Sequence, residues 1–218
     1  MASAVVFGAT GLVGTSLLAE LSTTDRVTSV VTYGRRAPSV ECPKMSFVKG
    51  SYDALDDDLS NTSVDHCFIA LGTTIRNAGS QDAFRNVDFR MVVEAAKWAM
   101  TRGAQSLALV SSVGANANAF AFYPRVKGEA EEALKALELP KLLIFRPGLL
   151  LGERNEFRFG ETLATPLMRI LNPLLLGSTA RYRAISAQDV ARAMVRLSLR
   201  SEPSGSSCTI VEGGDFFT

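Results

Sequence analysis

Histidine is almost missing from this chain: His66 is the only one in 218 residues. A histidine-based catalytic triad therefore has a single candidate. Cysteine is nearly as scarce. Cys42, Cys67 and Cys208 stand far apart, form no C-x-x-C pair and cannot all pair with one another. That usage fits a reducing interior and argues against a metal site of clustered Cys and His. Neither charge sign is in excess: the formal net charge is +1. There is thus no electrostatic argument for a nucleic acid or an acidic membrane surface as partner. No apolar run reaches the ~20 residues a bilayer span needs. Met1 to Ala4 is too short for the charged and apolar regions of a signal peptide, so a cytoplasmic location is expected. Internal repeats, low-complexity stretches and a clean linker are absent too. What is present, 47% hydrophobic and 21% charged residues, is the make-up of one globular domain with a substantial core.

The chain is organised around its beginning. Ala4-Val5-Val6-Phe7 is a short apolar run of the kind that forms a buried strand. It leads into Gly8-Ala9-Thr10-Gly11-Leu12-Val13-Gly14, and Thr15 to Leu21 then reads as a helix with Val13, Leu17, Leu18 and Leu21 on one face. Strand, glycine turn and helix are the context of a dinucleotide fingerprint. Glycines let the backbone approach a pyrophosphate, and the helix N-terminus offers it unpaired N–H groups. The spacing is Gly-x-x-Gly-x-x-Gly. Gly8, Thr10, Gly11, Leu12, Val13 and Gly14 are the expected cofactor-binding residues of this turn.

A second strand, Val27 to Tyr33, ends at Gly34-Arg35-Arg36. An NAD-selective fold places an acidic side chain here, on the ribose 2′-hydroxyl. Two arginines stand instead, and a guanidinium fork suits a 2′-phosphate, so NADP(H) is the expected cofactor. Met45 to Val48 reads as a short strand, and Asp56-Asp57-Asp58 as a solvated face. Asp65 to Leu71 is a buried strand closing on Gly72-Thr73-Thr74. Ligands of open parallel sheets lie outside such strand ends, so Leu71, Gly72 and Thr73 are expected against the cofactor. His66 opens that strand, away from this edge, and reads as structural. Gln81 to Arg102 is a long helix whose stripe of Val87, Met91, Ala95 and Trp98 reads as core. Strands follow at Ser106 to Val110, Leu142 to Phe145 and Cys208 to Val211. Helices are expected from about Phe122 to Leu137, at Glu161 to Leu171, and from near Ser186. Residues 149–184 form a small irregular lobe.

The chemistry gathers after the fifth strand. Tyr123 and Lys127 lie four apart at the start of a helix and share a face. Tyrosine, with a pKa near ~10, is a poor acid–base group at neutral pH. A cation one turn away stabilises the phenolate and eases proton donation to a nascent alkoxide. Ser111 or Ser112, at a strand end about twelve residues earlier, would hydrogen-bond the substrate carbonyl.

Together, the glycine turn, Ser111-Ser112, Tyr123-Pro124-Arg125-Val126-Lys127 and Arg146-Pro147-Gly148 resemble the short-chain dehydrogenase/reductase superfamily over nearly the whole chain. Leu71-Gly72-Thr73-Thr74, Val126-Lys127-Gly128-Glu129 and Phe145 to Leu150 are closer to its atypical branch containing the Tat-interactive-protein-like proteins. The resemblance implies a doubly wound α/β Rossmann domain with a mostly parallel sheet and a reduced C-terminal lobe. It implies that Arg35, with Arg36 behind it, holds the 2′-phosphate, and that Pro147, Leu150 and Arg158 reach the nicotinamide half or its phosphates. It departs from the classical enzymes where Leu71-Gly72-Thr73-Thr74 replaces Asn-Asn-Ala-Gly and in a shorter Ser-to-Tyr loop; of the two serines it favours Ser112, by the usual position of the second residue in such a pair, over Ser111. The expected activity is reduction of a small carbonyl compound by NADPH, with Tyr123 as proton donor; the alternative is a nucleotide-binding sensor with little turnover.

Overall fold

Helices on both faces of a parallel sheet make its strands read as continuous apolar runs. The computed structural model describes residues 2–151, 182–200 and 206–218. It contains β1 (Ala2–Phe7), β2 (Val27–Gly34), β3 (Met45–Lys49), β4 (His66–Ile69), β5 (Ser106–Val110) and β6 (Lys141–Arg146). A two-residue pair, β7 (Leu150–Leu151) and β8 (Ile185–Ser186), stands apart, and β9 (Ser207–Glu212) comes last. The main sheet runs β3-β2-β1-β4-β5-β6-β9, and every pairing in it is parallel. Strand order reverses between β1 and β4, which opens a crevice beyond their carboxyl ends.

Successive side chains of β1 go to opposite faces. Val6 joins Leu17 and Leu18 of α1 (Leu12–Thr23) and Val190 and Met194 of the last long helix, Ala187–Ser198. Val5 and Phe7 join Ile69, Trp98 and Leu134 on the other face, under α5 (Met91–Thr101) and α6 (Phe122–Lys135). The short helices α2 (Leu55–Asp58), α3 (Ile75–Ala78) and α4 (Gln81–Arg85) lie between β3 and α5 in sequence; the Ala187–Ser198 helix is α7. Its N-cap, Ser186, accepts from the Asp189 N–H at 3.0 Å, the cap its sequence calls for.

Three sequence expectations change. The long helix from Gln81 is interrupted by a π turn, Asn86–Arg90. Its stripe is core only at Ala95 and Trp98; Val87 and Met91 line a cleft, because the turn brings this end of the helix to the open edge of the sheet. Asp58 is not simply solvated: it accepts a 2.7 Å hydrogen bond from the Tyr33 hydroxyl. The expected helix Glu161 to Leu171 and most of the 149–184 lobe lie outside the described residues.

His66 is buried at the opposite end of the sheet, 2.8 Å from the Ser106 hydroxyl through Nδ1. Burial holds its pKa below the ordinary value; Asp65 pulls it up, and Arg26 and Lys141 push it further down. The unfolded chain therefore binds this proton more readily than the folded one. The resulting stability is present above the ordinary pKa of about 6.5 and lost as pH falls below it. Thermal melts are expected to fall in midpoint between about pH 7.5 and 5.5, and less so in His66→Gln; parallel curves would assign the loss to other groups.

Candidate functional site

Five strand ends meet at one edge. Gly8 follows β1, Gly34 ends β2, Ala70 to Thr73 follow β4, Ser111-Ser112 follow β5, and Pro147-Gly148 follow β6. Gly8 has φ +83°, and a Cβ there would stand 2.5 Å from the Ala70 carbonyl oxygen. A Cβ on Gly14 would stand 2.1 Å from the Gly8 carbonyl oxygen. These two glycines let α1 and the β4 loop close on the turn. Gly11 caps α1 and has no side chain to satisfy the first N–H groups of the helix, which suits that end to an anion.

The turn borders a cleft of about 370 Å3. Gly8, Thr10 and Gly11 form one wall and Leu71, Gly72 and Thr73 another. Arg35 and Arg36 stand at the β2 end, with Tyr52, Asp53, Arg90 and Met91 across from them. A second cleft of about 640 Å3 lies outside the turn and is lined by Thr10, Leu12, Ser16, Arg36 and Ser39. Arg36 borders both clefts, Arg35 the inner one. Val13 is buried in the core behind the turn, so its contribution there is its backbone. Asp53, absent from the sequence reading, forms a 3.1 Å ion pair with Arg90, and both line the cleft. Both side chains are well exposed, which limits the pair to ~1 kcal/mol.

Tyr123 and Lys127 sit in the first turns of α6. The Tyr123 ring packs against Phe84 of α4 with centroids 5.6 Å apart, and Phe84 also packs against Phe122. Lys127 is buried, its Nζ 2.7 Å from Oδ1 of Asp88 in the π turn. The other oxygen, Oδ2, accepts from the Thr73 N–H at 2.8 Å. Thr73 therefore lines the cleft with its N–H already turned inward. Asp88 was also missed in the sequence; the signal available was that a buried lysine needs a counter-charge.

The two serines diverge. The Ser111 hydroxyl donates to Glu131 of α6, a residue 1% exposed. Arg146 closes the same network with Nε 3.0 Å from Glu131, and that hydrogen bond raises the arginine's pKa. The Ser112 hydroxyl is partly buried and contacts its own neighbour's carbonyl, Val113 O, at 3.2 Å. Pro147 is buried, and its carbonyl accepts from the Val113 N–H at 3.0 Å. Leu150 is half-buried in β7 against the core. Arg158 lies outside the described residues.

The comparisons bear on the family and the fold. A family model described as "NAD dependent epimerase/dehydratase family" matches residues 4–210. The chain is 36% identical over 200 residues to "Protein FMP52-1, mitochondrial" of Scheffersomyces stipitis, covering 86% of this chain and 88% of that one. Among solved structures, MoeE5 in complex with UDP-glucose and NAD superposes with a TM-score of 0.69 at 16% identity, over 98% of this chain and 79% of that one. A short chain dehydrogenase family protein from Francisella tularensis superposes with a TM-score of 0.63 at 16% identity, over 99% and 98% of the two chains. The relative's mitochondrial name overturns the cytoplasmic expectation; scattered cysteines, on which that expectation leaned, do not single out one reducing compartment. The chain belongs to the NAD dependent epimerase/dehydratase family, within the short-chain dehydrogenase/reductase superfamily.

Proposed function

We propose that the protein is an NADPH-dependent reductase of a small carbonyl compound, working in mitochondria as its relative's name indicates. The observation that carries this reading is Tyr123 one helical turn from a buried, charge-paired Lys127, which Asp88 ties to Thr73 of the cleft wall; neither Tyr123 nor Lys127 is itself among the residues lining the cleft. The glycine cradle and the uncapped start of α1 fit a pyrophosphate. Arg36, which borders both clefts, and Arg35 beside it fit a 2′-phosphate.

When bound, the reduced nicotinamide supplies a hydride. The protein's own part is to orient the carbonyl and deliver a proton. Ser112 donates a hydrogen bond to the carbonyl oxygen. Tyr123 gives that oxygen its phenolic proton. Lys127 stabilises the phenolate left behind and has ammonium hydrogens to spare for a ribose. Ser111, committed to Glu131, stays in the supporting structure.

The test is stopped-flow oxidation of NADPH against a panel of aldehydes, ketones, quinones and sugar-derived carbonyls. A second reading is a nucleotide sensor with little turnover, for which the glycine cradle and the uncapped start of α1 suffice without the Tyr123 chemistry. Absence of turnover across the panel, with nucleotide bound, favours that reading.

Cofactor preference has its own expected result. NADPH should bind more tightly than NADH by about thirtyfold, the equivalent of about 2 kcal/mol from charge-assisted hydrogen bonds. Calorimetry should show most of that margin lost in Arg36→Ala and all of it in Arg35→Ala/Arg36→Ala. Equal wild-type affinities would refute the assignment.

A further inference from the structure

We propose that Asp88 is a positioning residue of the nucleotide site, acting through Lys127 and tying the cleft wall at Thr73 to helix α6. The inference rests on the reading that a nicotinamide nucleotide occupies the cleft. Asp88 is 1% exposed. Its two oxygens serve two different elements: Oδ2 accepts the Thr73 N–H at 2.8 Å, and Oδ1 lies 2.7 Å from the Lys127 ammonium. One carboxylate thus spans from the loop after β4 to the helix that carries Tyr123.

Stability alone does not account for this arrangement. A buried ion pair is no better for the fold than well-packed apolar side chains of similar volume. The pair stands beside the cleft. Its π turn also contributes Asn86, Val87 and Arg90 to the lining, and π turns often mark functional sites. The contact to Lys127 is a close ion pair at 2.7 Å. It holds the ammonium in place, and with three hydrogens the ammonium has others for a second acceptor. Lys127 is 6% exposed. Without Asp88 it would be a buried cation with no counter-ion and would leave its position for water or another carboxylate.

The experiment is a double-mutant cycle read in NADPH affinity by calorimetry, which needs no turnover. Asp88→Asn keeps the size of the side chain and an oxygen for the Thr73 N–H but removes the charge facing Lys127. It is expected to weaken NADPH at least tenfold. Lys127→Met should weaken it as much or more. Asp88→Asn/Lys127→Met should bind no worse than Lys127→Met and melt higher than Asp88→Asn. A merely structural Asp88 predicts losses that multiply, and multiplied losses overturn the inference. Should Asp88→Asn fail to fold, Lys127→Met against the double variant decides the matter: equal affinities support the coupling, and a further loss in the double refutes it. A wild type that binds neither NADPH nor NADH overturns the reading of the site and the inference with it. Binding without turnover removes the reductase and leaves the inference standing.

Discussion

Tyr123→Phe is expected to give a folded protein that binds NADPH as the wild type does and turns over roughly 10²–10⁴-fold more slowly, the usual worth of a positioned general acid. The change removes one hydroxyl. The ring still packs against Phe84, so melting temperature and nucleotide affinity should barely move. Lys127→Met behaves differently. It removes the cation beside Tyr123, a donor to the ribose, and the partner of buried Asp88. Affinity, turnover and stability should all fall. Single-turnover NADPH oxidation beside calorimetry separates the two variants. Wild-type activity in Tyr123→Phe would sink the mechanism, and a wild type without turnover whose Lys127→Met variant loses affinity and stability would fit a sensor.

The glycine turn gives the second large effect, and its glycines should fail in different ways. Gly14→Ala places a Cβ 2.1 Å from the Gly8 carbonyl oxygen and 2.8 Å from Ala9 Cα. Both neighbours are backbone, so no rotamer change relieves the contact. Destabilisation at or beyond the upper end of about 1–3 kcal/mol is expected, with soluble yield falling accordingly. Gly11 is looser: its Cβ would lie 3.1 Å from the Gly8 carbonyl oxygen, a contact that a shift of a few tenths of an ångström removes. Gly11→Val should therefore fold and lose nucleotide, because its branched side chain fills space the pyrophosphate requires. Thermal melts with and without NADPH distinguish these cases. A ligand-stabilised Gly11→Val protein would place the cofactor elsewhere.

The turn was legible because its signals are local. An apolar tetrapeptide, three spaced glycines and an apolar-periodic helix lie next to one another, and the structure has β1, the turn and α1 in that order. That Tyr123 and Lys127 share the first turns of one helix was legible for the same reason, being a matter of spacing. Their supporting residues were not. Asp88 is a single acid in a helical stretch, and by spacing alone it resembles a solvent-facing residue. Only the π turn, which has no local signature, and the distant Thr73 and Lys127 show that it is buried. Glu131 stands among other acids in Gly128-Glu129-Ala130-Glu131-Glu132, and what distinguishes it is Arg146, a strand away. Between Ser111 and Ser112 the resemblance favoured the second, and what sets Ser111 apart in the structure is its bond to Glu131. Adjacent residues at a strand end point opposite ways, and the sequence does not say which side holds the buried carboxylate.

The packing of α1 against α7 has a consequence for how the chain is assembled. The apolar face of α1, with Leu17, Leu18 and Leu21, is covered by Val190, Met194 and their neighbours, residues from the far end of the polypeptide. β9 joins β6 by pairing Lys141 with Ser207. A growing or translocating chain therefore displays the first helix with the part of its apolar face that the sheet does not cover still open until the last segment emerges. Contacts so far apart in sequence form slowly, and an uncovered surface of this kind is what chaperones hold. The glycine turn is among the earliest parts to be synthesised, yet its helix is among the last to be seated.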